Sequence, residues 1–167
     1  MTNNVIQKIL GFKILELPVV PTFIGSFVLM ANMFMWYGSY FVDQFHPLMG
    51  IVEEDVTAAA LGWWYPIGMI LSMSQGLGIA ILLKWRNWPG YIASVTTAFT
   101  AGVFFGAITF SYPLIILPDH NHALFYINAS GIITSFAMAA ITITFLRKRV
   151  SQEVKETAPH RGRLASL

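Results

Sequence analysis

Four long uncharged runs dominate the pattern of hydrophobic and polar positions along the chain. None of them contains Asp, Glu, Lys or Arg, and they lie at 17–42, 56–83, 87–118 and 120–146. Each run is longer than the ~20 residues that a helix needs to cross the hydrocarbon core of a bilayer. Backbone that faces lipid must pair its own N–H and C=O groups, and the alternating pattern of an outer-membrane barrel is absent. The runs therefore predict transmembrane helices.

These helices define the predicted fold class, an all-α integral membrane protein with a four-transmembrane-helix bundle. We expect the spans at about 18–42, 57–83, 89–117 and 122–146, in a single membrane domain of residues 1–149. Residues 150–167 are expected to form a polar cytoplasmic tail that is partly disordered.

The segment before span 1 has the spacing of a short N-terminal amphipathic helix. Apolar residues recur there at helical intervals with polar residues opposite, at Val5, Ile6, Ile9, Leu10 and Ile14. This spacing favours a helix that lies in the cytoplasmic interface of the membrane. A helix that faces a partner protein is the alternative.

The distribution of basic residues predicts the orientation. All ten lie on one side of the predicted membrane, at Lys8, Lys13, Lys84, Arg86, Arg147, Lys148, Arg149, Lys155, Arg161 and Arg163. The opposite side carries acidic residues instead, at Asp43, Glu53, Glu54, Asp55 and Asp119. Because cytoplasmic loops are enriched in Lys and Arg, we expect a multi-pass protein of the cell membrane with both termini in the cytoplasm, N-in/C-in.

The composition agrees with a membrane protein and narrows the chemistry. Of 167 residues, 56% are hydrophobic and 11% are charged, whereas a soluble domain has about 45–50% apolar and about 25% charged residues. The absence of cysteine excludes disulfides, thiolate metal ligands and a catalytic thiol. The basic residues form no continuous face, so nucleic acid is not an expected partner. No ionisable side chain lies deep in a span, which argues against ion-coupled transport and against haem between the helices.

Small residues at intervals of four mark the faces along which we expect the spans to pack. They are Gly68, Ser72, Gly76 and Ala80 in span 2, Ala98, Gly102 and Gly106 in span 3, and Gly131, Ser135 and Ala139 in span 4. Such stripes let helix backbones approach closely in lipid, either within one chain or against another polypeptide. The polar residues Asn32, Gln75 and Asn128 are predicted to form hydrogen bonds between helices.

Imidazole and carboxylate groups collect at the outer face, where they form a candidate transition-metal site. The residues are His46, Glu53, Glu54 and Asp55 after span 1, and Asp119, His120 and His122 before span 4. These ligand types suit zinc, copper or non-haem iron. The alternative is that Asp119 or Asn121 caps the N-terminus of span 4, while the acids before span 2 complement its helix dipole.

Two functions remain open, and no motif assigns a reaction or a catalytic residue. The first is an accessory or structural subunit of a larger membrane protein complex, with a respiratory or oxidative assembly of the oxidase or monooxygenase type as the expected class. Small size, short loops and packing stripes favour it, with the lipid bilayer and other membrane subunits or a second copy as partners. The alternative is a small membrane enzyme or carrier whose outer-face His and carboxylate site is metal-dependent or quinone-linked.

Overall fold

The structure is a computed structural model that describes the backbone of residues 13–14, 16–50, 64–116 and 121–157, and the side chains of residues 16–50, 66–112 and 121–152. Within these residues four helices are long and apolar enough to cross a membrane, at Val19–Tyr40, Pro66–Trp85, Tyr91–Tyr112 and His122–Gln152. The prediction of four helices of this kind is confirmed. They are named spans 1 to 4 below.

The described part of the chain is mainly helical. A short antiparallel ladder pairs β1 (Lys13–Ile14) with β2 (Leu17–Pro18). Span 1 combines α1 (Val19–Met35) with a π-helical turn, π1 (Trp36–Tyr40), and is followed by α2 (Val42–Met49). Span 2 lies in α3 (Trp64–Trp85). Span 3 combines α4 (Tyr91–Ala101), a second π-helical stretch, π2 (Gly102–Ala107), and α5 (Ile108–Ile116), and span 4 lies in α6 (His122–Thr157).

The last helix continues beyond the predicted end of span 4 at residue 146, since α6 reaches Thr157. The segment after Arg147 contains no Gly or Pro up to that point, and Lys, Arg, Glu and Gln are good helix formers. Charge therefore ends the apolar run without ending the helix. Residues 150–157 of the expected tail belong to this helix, and the rest of the tail lies outside the described residues.

The chain enters span 1 through a tight turn. Glu16 has a φ of 62° between the two paired strands, so Ile14 lies in β1 and not in a helix. The remainder of the predicted amphipathic helix, and the predicted start of span 2 at residue 57, lie outside the described residues.

Span 4 is the centre of the bundle. It packs along both span 1 and span 3, while span 2 packs mainly against span 1 and spans 2 and 3 barely meet. Half of the apolar stretch with which span 4 could cross a membrane is buried inside the bundle. In the other three spans the buried share of this stretch is 22–28%. Leu29, Ala139 and Ile143 are fully buried where spans 1 and 4 meet. The three outer spans therefore leave most of their surface outside the core of the bundle.

Close approach of the helices depends on small residues. A Cβ built on Gly76 of span 2 would meet the side chain of Ser26 in span 1 and lie 2.7 Å from its Cα. A Cβ on Gly131 of span 4 would lie 2.8 Å from Cδ1 of Trp36. Three further glycines lie against a neighbouring span in the same way, at Gly25, Gly102 and Gly106. Larger side chains at these positions would hold the backbones apart.

Polar side chains connect the central helices. Asn32 of span 1 donates from Nδ2 to Oγ of Ser135 in span 4 at 2.8 Å, as predicted for Asn32. On the other side of span 4, Oγ1 of Thr144 donates to Oγ of Ser94 in span 3 at 2.9 Å. In a membrane such bonds are common and contribute modestly to helix association. Gln75 and Asn128, which were expected to do the same, have no hydrogen-bond partner among the described residues.

Candidate functional site

Two of the predicted metal ligands, His46 and His122, lie among the described side chains, and the structure forms no metal site from them. His46 lies half-buried in α2, which contacts span 4, and its ring is 6.3 Å from that of Phe45. His122 is exposed at the first position of α6. Across the described side chains, no three His, Asp or Glu residues lie close enough to hold a metal ion. The other predicted ligands lie outside the described residues, at Glu53, Glu54, Asp55, Asp119 and His120.

The capping interpretation of this region is confirmed for one residue. Oδ1 of Asn121 accepts a hydrogen bond of 2.8 Å from the backbone N–H of Ala123, two positions later. This is the geometry of an N-terminal cap, which satisfies one of the free N–H groups in the first turn of a helix. Asn121 therefore has a structural role at the start of span 4.

The opposite end of the bundle contains a turn held by backbone hydrogen bonds. The N–H of Trp88 donates to the carbonyl of Leu83, and the N–H of Asn87 to that of Lys84, both at 2.8 Å. Asn87 and Trp88 each have a φ of 54°. This pattern is a Schellman motif in which Asn replaces the usual Gly, and it ends span 2 sharply. The left-handed conformation is unfavourable for a residue as bulky as Trp88, so packing has to stabilise it.

Cationic side chains surround this turn. Lys84 pairs with Glu16 at 2.9 Å, and Arg86 donates from a guanidinium nitrogen to Oγ1 of Thr97 in span 3 at 2.8 Å. Among the described residues Arg86, Arg147 and Lys148 have no carboxylate partner. We call these three residues the basic cluster.

Aromatic rings hold two members of the basic cluster in place. The guanidinium carbon of Arg147 lies 4.6 Å from the ring centroid of Trp88, and Nζ of Lys148 lies 4.0 Å from that of Tyr91. Both distances are within the range of cation–π attraction. The contact with Arg147 also helps to explain how Trp88 keeps its unfavourable backbone conformation. The end of span 4 is thereby fixed against the turn between spans 2 and 3.

A lateral groove of about 310 Å³ opens between spans 2 and 3, which barely meet. Its lining is apolar apart from the amide of Gln75, with Phe136 of span 4 on its inner side: Gln75, Gly78, Ile79, Ile81, Leu82, Trp85, Ala101, Phe105 and Phe136. Trp85 is 75% exposed and Phe105 is 73% exposed, so the groove is open towards the surroundings of the bundle. A Cβ built on Gly78 would meet nothing within 4 Å.

The sequence alone did not reveal this groove. The sequence predicts an interhelical hydrogen bond for Gln75, and Gly78 is not part of the stripes because it is offset by two positions from Gly76. The groove depends on which spans do not pack together, and apolar runs contain no information on that point.

No protein-family model, curated protein or solved structure matches this chain.

Proposed function

We propose that the chain is an accessory or structural subunit of a larger membrane complex, and that span 2 contributes a contact to a neighbouring polypeptide. The observation that supports this most directly is the open surface at Gly68. Nothing among the described residues lies within 4 Å of a Cβ built there. The apolar stretch with which span 2 could cross a membrane is also the least buried of the four.

Glycine at this position needs a physical reason. In a helix interior Gly is less favourable than Ala by about 1 kcal/mol, so transmembrane glycines are used mainly where two backbones must approach. Five glycines of the spans serve such contacts within the chain. Gly68 lies about 12 Å along the helix from Gly76, towards the other membrane surface. Gly68 and Ser72 are flanked by the exposed side chains of Ile67 and Leu71, which suits the approach of a second helix.

Gly68→Leu tests the subunit proposal. Leucine is favourable in lipid, so we expect the variant to insert normally into the membrane. The larger side chain should hold span 2 and the neighbouring polypeptide apart. In tagged protein at native expression, we expect recovery of companion subunits to fall about tenfold, which corresponds to a loss of about 1.4 kcal/mol of contact free energy. Mass spectrometry of the purified complex measures this, and we expect the companions to come from a respiratory or oxidative assembly.

The matched control is Gly78→Leu, which changes the same residue type on a different face of the same helix. It should leave the companions in place. A wild-type mass of one protomer in mild detergent, with no companion at native expression, would contradict the subunit proposal.

We further propose the N-in/C-in orientation, supported by the position of every Lys and Arg in the sequence on one predicted side. Since the chain has no cysteine, single cysteines at the exposed positions Gln44 and Ser151 report on the two sides separately. An impermeant maleimide on intact cells should label Gln44→Cys, while Ser151→Cys reacts only after permeabilisation. The opposite labelling pattern would overturn the orientation.

A further inference from the structure

We propose that the lateral groove and Arg86 together bind one anionic phospholipid, with an acyl chain in the groove and the phosphate at the guanidinium of Arg86. In the proposed orientation this lipid comes from the cytoplasmic leaflet. The inference concerns a different face of span 2 from the Gly68 surface and does not depend on the subunit proposal.

The length of the groove favours a lipid chain as its occupant. From Gln75 to Trp85 the lining follows span 2 for ten residues, which corresponds to about 15 Å of helix. The hydrocarbon core is about 30 Å thick, so the groove covers one leaflet. It begins at the membrane surface beside Trp85 and ends at Gln75, in the middle of the span Pro66–Trp85. A partner helix that crosses the bilayer would require a surface of about twice this length.

The charge at the end of the groove favours an anionic headgroup. Arg86 directly follows the lining residue Trp85, and its bond to Thr97 carries it across to span 3 at the groove opening. That partner is a neutral hydroxyl, so the positive charge of the guanidinium is not compensated by it. A guanidinium has five N–H donors in a planar fork that fits phosphate oxygens. Arg147 and Lys148 add positive charge at the same end of the bundle, where basic pockets between helices recognise anionic lipids.

The side walls suit an acyl chain. Apart from Gln75 all lining side chains are aliphatic, aromatic or glycine, and Gly78 leaves a depression in the wall formed by span 2. Trp85 is largely exposed next to Arg86, which is the usual position of tryptophan at headgroup level. The groove and its opening therefore match the two chemically different parts of one phospholipid.

Native mass spectrometry of the full chain in mild detergent tests the proposal. Phosphatidylglycerol and phosphatidylcholine with identical acyl chains are titrated separately, and inorganic phosphate is a third ligand. We expect one phosphatidylglycerol to bind roughly fivefold more tightly than phosphatidylcholine, the factor that one basic residue near an anionic lipid provides. Inorganic phosphate should not compete at equal concentration, since it lacks the chain.

Variants separate the two halves of the site. Gly78→Leu fills the groove and should weaken binding of both lipids, and Gly78→Val is a smaller substitution for the case that the leucine variant does not fold. Arg86→Gln should remove the preference for phosphatidylglycerol while phosphatidylcholine binds as before. Gly68→Leu and Arg149→Gln are the matched controls and should bind like wild type.

Three results would overturn the proposal. The first is equal affinity for the two lipids in the wild type. The second is unchanged lipid binding in folded Gly78→Leu or Gly78→Val. The third is a companion polypeptide that is lost in Gly78→Leu and retained in Gly68→Leu, because the groove would then hold a protein segment.

Discussion

Gly76→Leu is expected to lower the free energy of unfolding by about 3 kcal/mol, the upper part of the usual range for overpacking a well-packed site. A Cβ at Gly76 would meet the Ser26 side chain and lie 2.7 Å from the Cα of that residue. The backbone of span 1 would have to move, because no flexible side-chain end is available to give way. Spans 1 and 2 would therefore separate along their contact. Unfolding in a mixed detergent titration, followed by circular dichroism, measures the change.

Gly78→Leu is the matched control for this experiment. Gly78 lies on the same helix, two positions away, and a Cβ there meets nothing within 4 Å. Its substitution should not lower stability and should raise it by up to about 1 kcal/mol, because leucine has room there and a higher helix propensity than glycine. Equal stability of Gly76→Leu and Gly78→Leu would show that spans 1 and 2 do not meet at Ser26.

The contrast between Gly68 and Gly76 shows how far the sequence can predict helix packing. The four-residue stripe in span 2 identifies small residues, and both glycines belong to it. An α-helix turns by about 100° per residue, so positions four apart drift by about 40° and the stripe rotates by about 120° from Gly68 to Ala80. One straight face cannot therefore contain the whole stripe. Gly76 and Ala80 are buried in the bundle, whereas Gly68 points away from every described neighbour.

The small-residue stripes of spans 4 and 3 also lie against neighbouring helices, each against a different one. Gly131, Ser135 and Ala139 of span 4 face span 1, where they meet Trp36, Asn32 and Gly25. Gly102 and Gly106 of span 3 approach Ile133 and Ile132 on the other side of span 4. A small residue shows where close approach is possible, since larger side chains would prevent it. The identity of the neighbour depends on the arrangement of all four helices, which no single stripe contains.

The position of the basic residues and the extent of the last helix likewise depend on different properties of the sequence. The basic residues from Arg147 onward predict where the chain leaves the hydrocarbon. The helix continues through Thr157, eleven residues past the predicted end of span 4 at 146, because the charged residues of this segment are good helix formers. At the candidate lipid site, the sequence shows Arg86 and the aromatic residues around it. It cannot show the groove, which forms because spans 2 and 3 barely meet.

We expect the stability effects of substitutions at Trp36 and Gly131 to be coupled, because the large indole lies against a residue that has no side chain. The indole ring lies over Gly131, with Cδ1 at 2.8 Å and Nε1 at 3.1 Å from a Cβ built there. Nε1 also donates a hydrogen bond of 3.0 Å to the carbonyl of Ile127, one turn earlier in span 4. Trp36 is the first residue of π1, so this contact lies at the point where span 1 changes its helical pattern.

Each single substitution is expected to destabilise the bundle for a different reason. Trp36→Ala removes a large side chain and its hydrogen bond, and should lower the unfolding free energy by about 3 kcal/mol. Gly131→Val places two methyl groups against the indole and should lower it by about 2 kcal/mol. Trp85→Ala is the control for loss of a tryptophan, since Trp85 is 75% exposed and its removal should change stability by no more than about 0.5 kcal/mol.

The double variant Trp36→Ala/Gly131→Val distinguishes a direct contact from two independent effects. Removal of the indole vacates the space that the valine needs, so the overpacking penalty of Gly131→Val should disappear in the Trp36→Ala background. We therefore expect the double variant to be about 2 kcal/mol more stable than the sum of the single losses predicts, within the range of couplings between contacting residues. Detergent unfolding of the four proteins in one double-mutant cycle measures this coupling. Losses that add without coupling would mean that the indole of Trp36 does not lie over Gly131 in the folded protein.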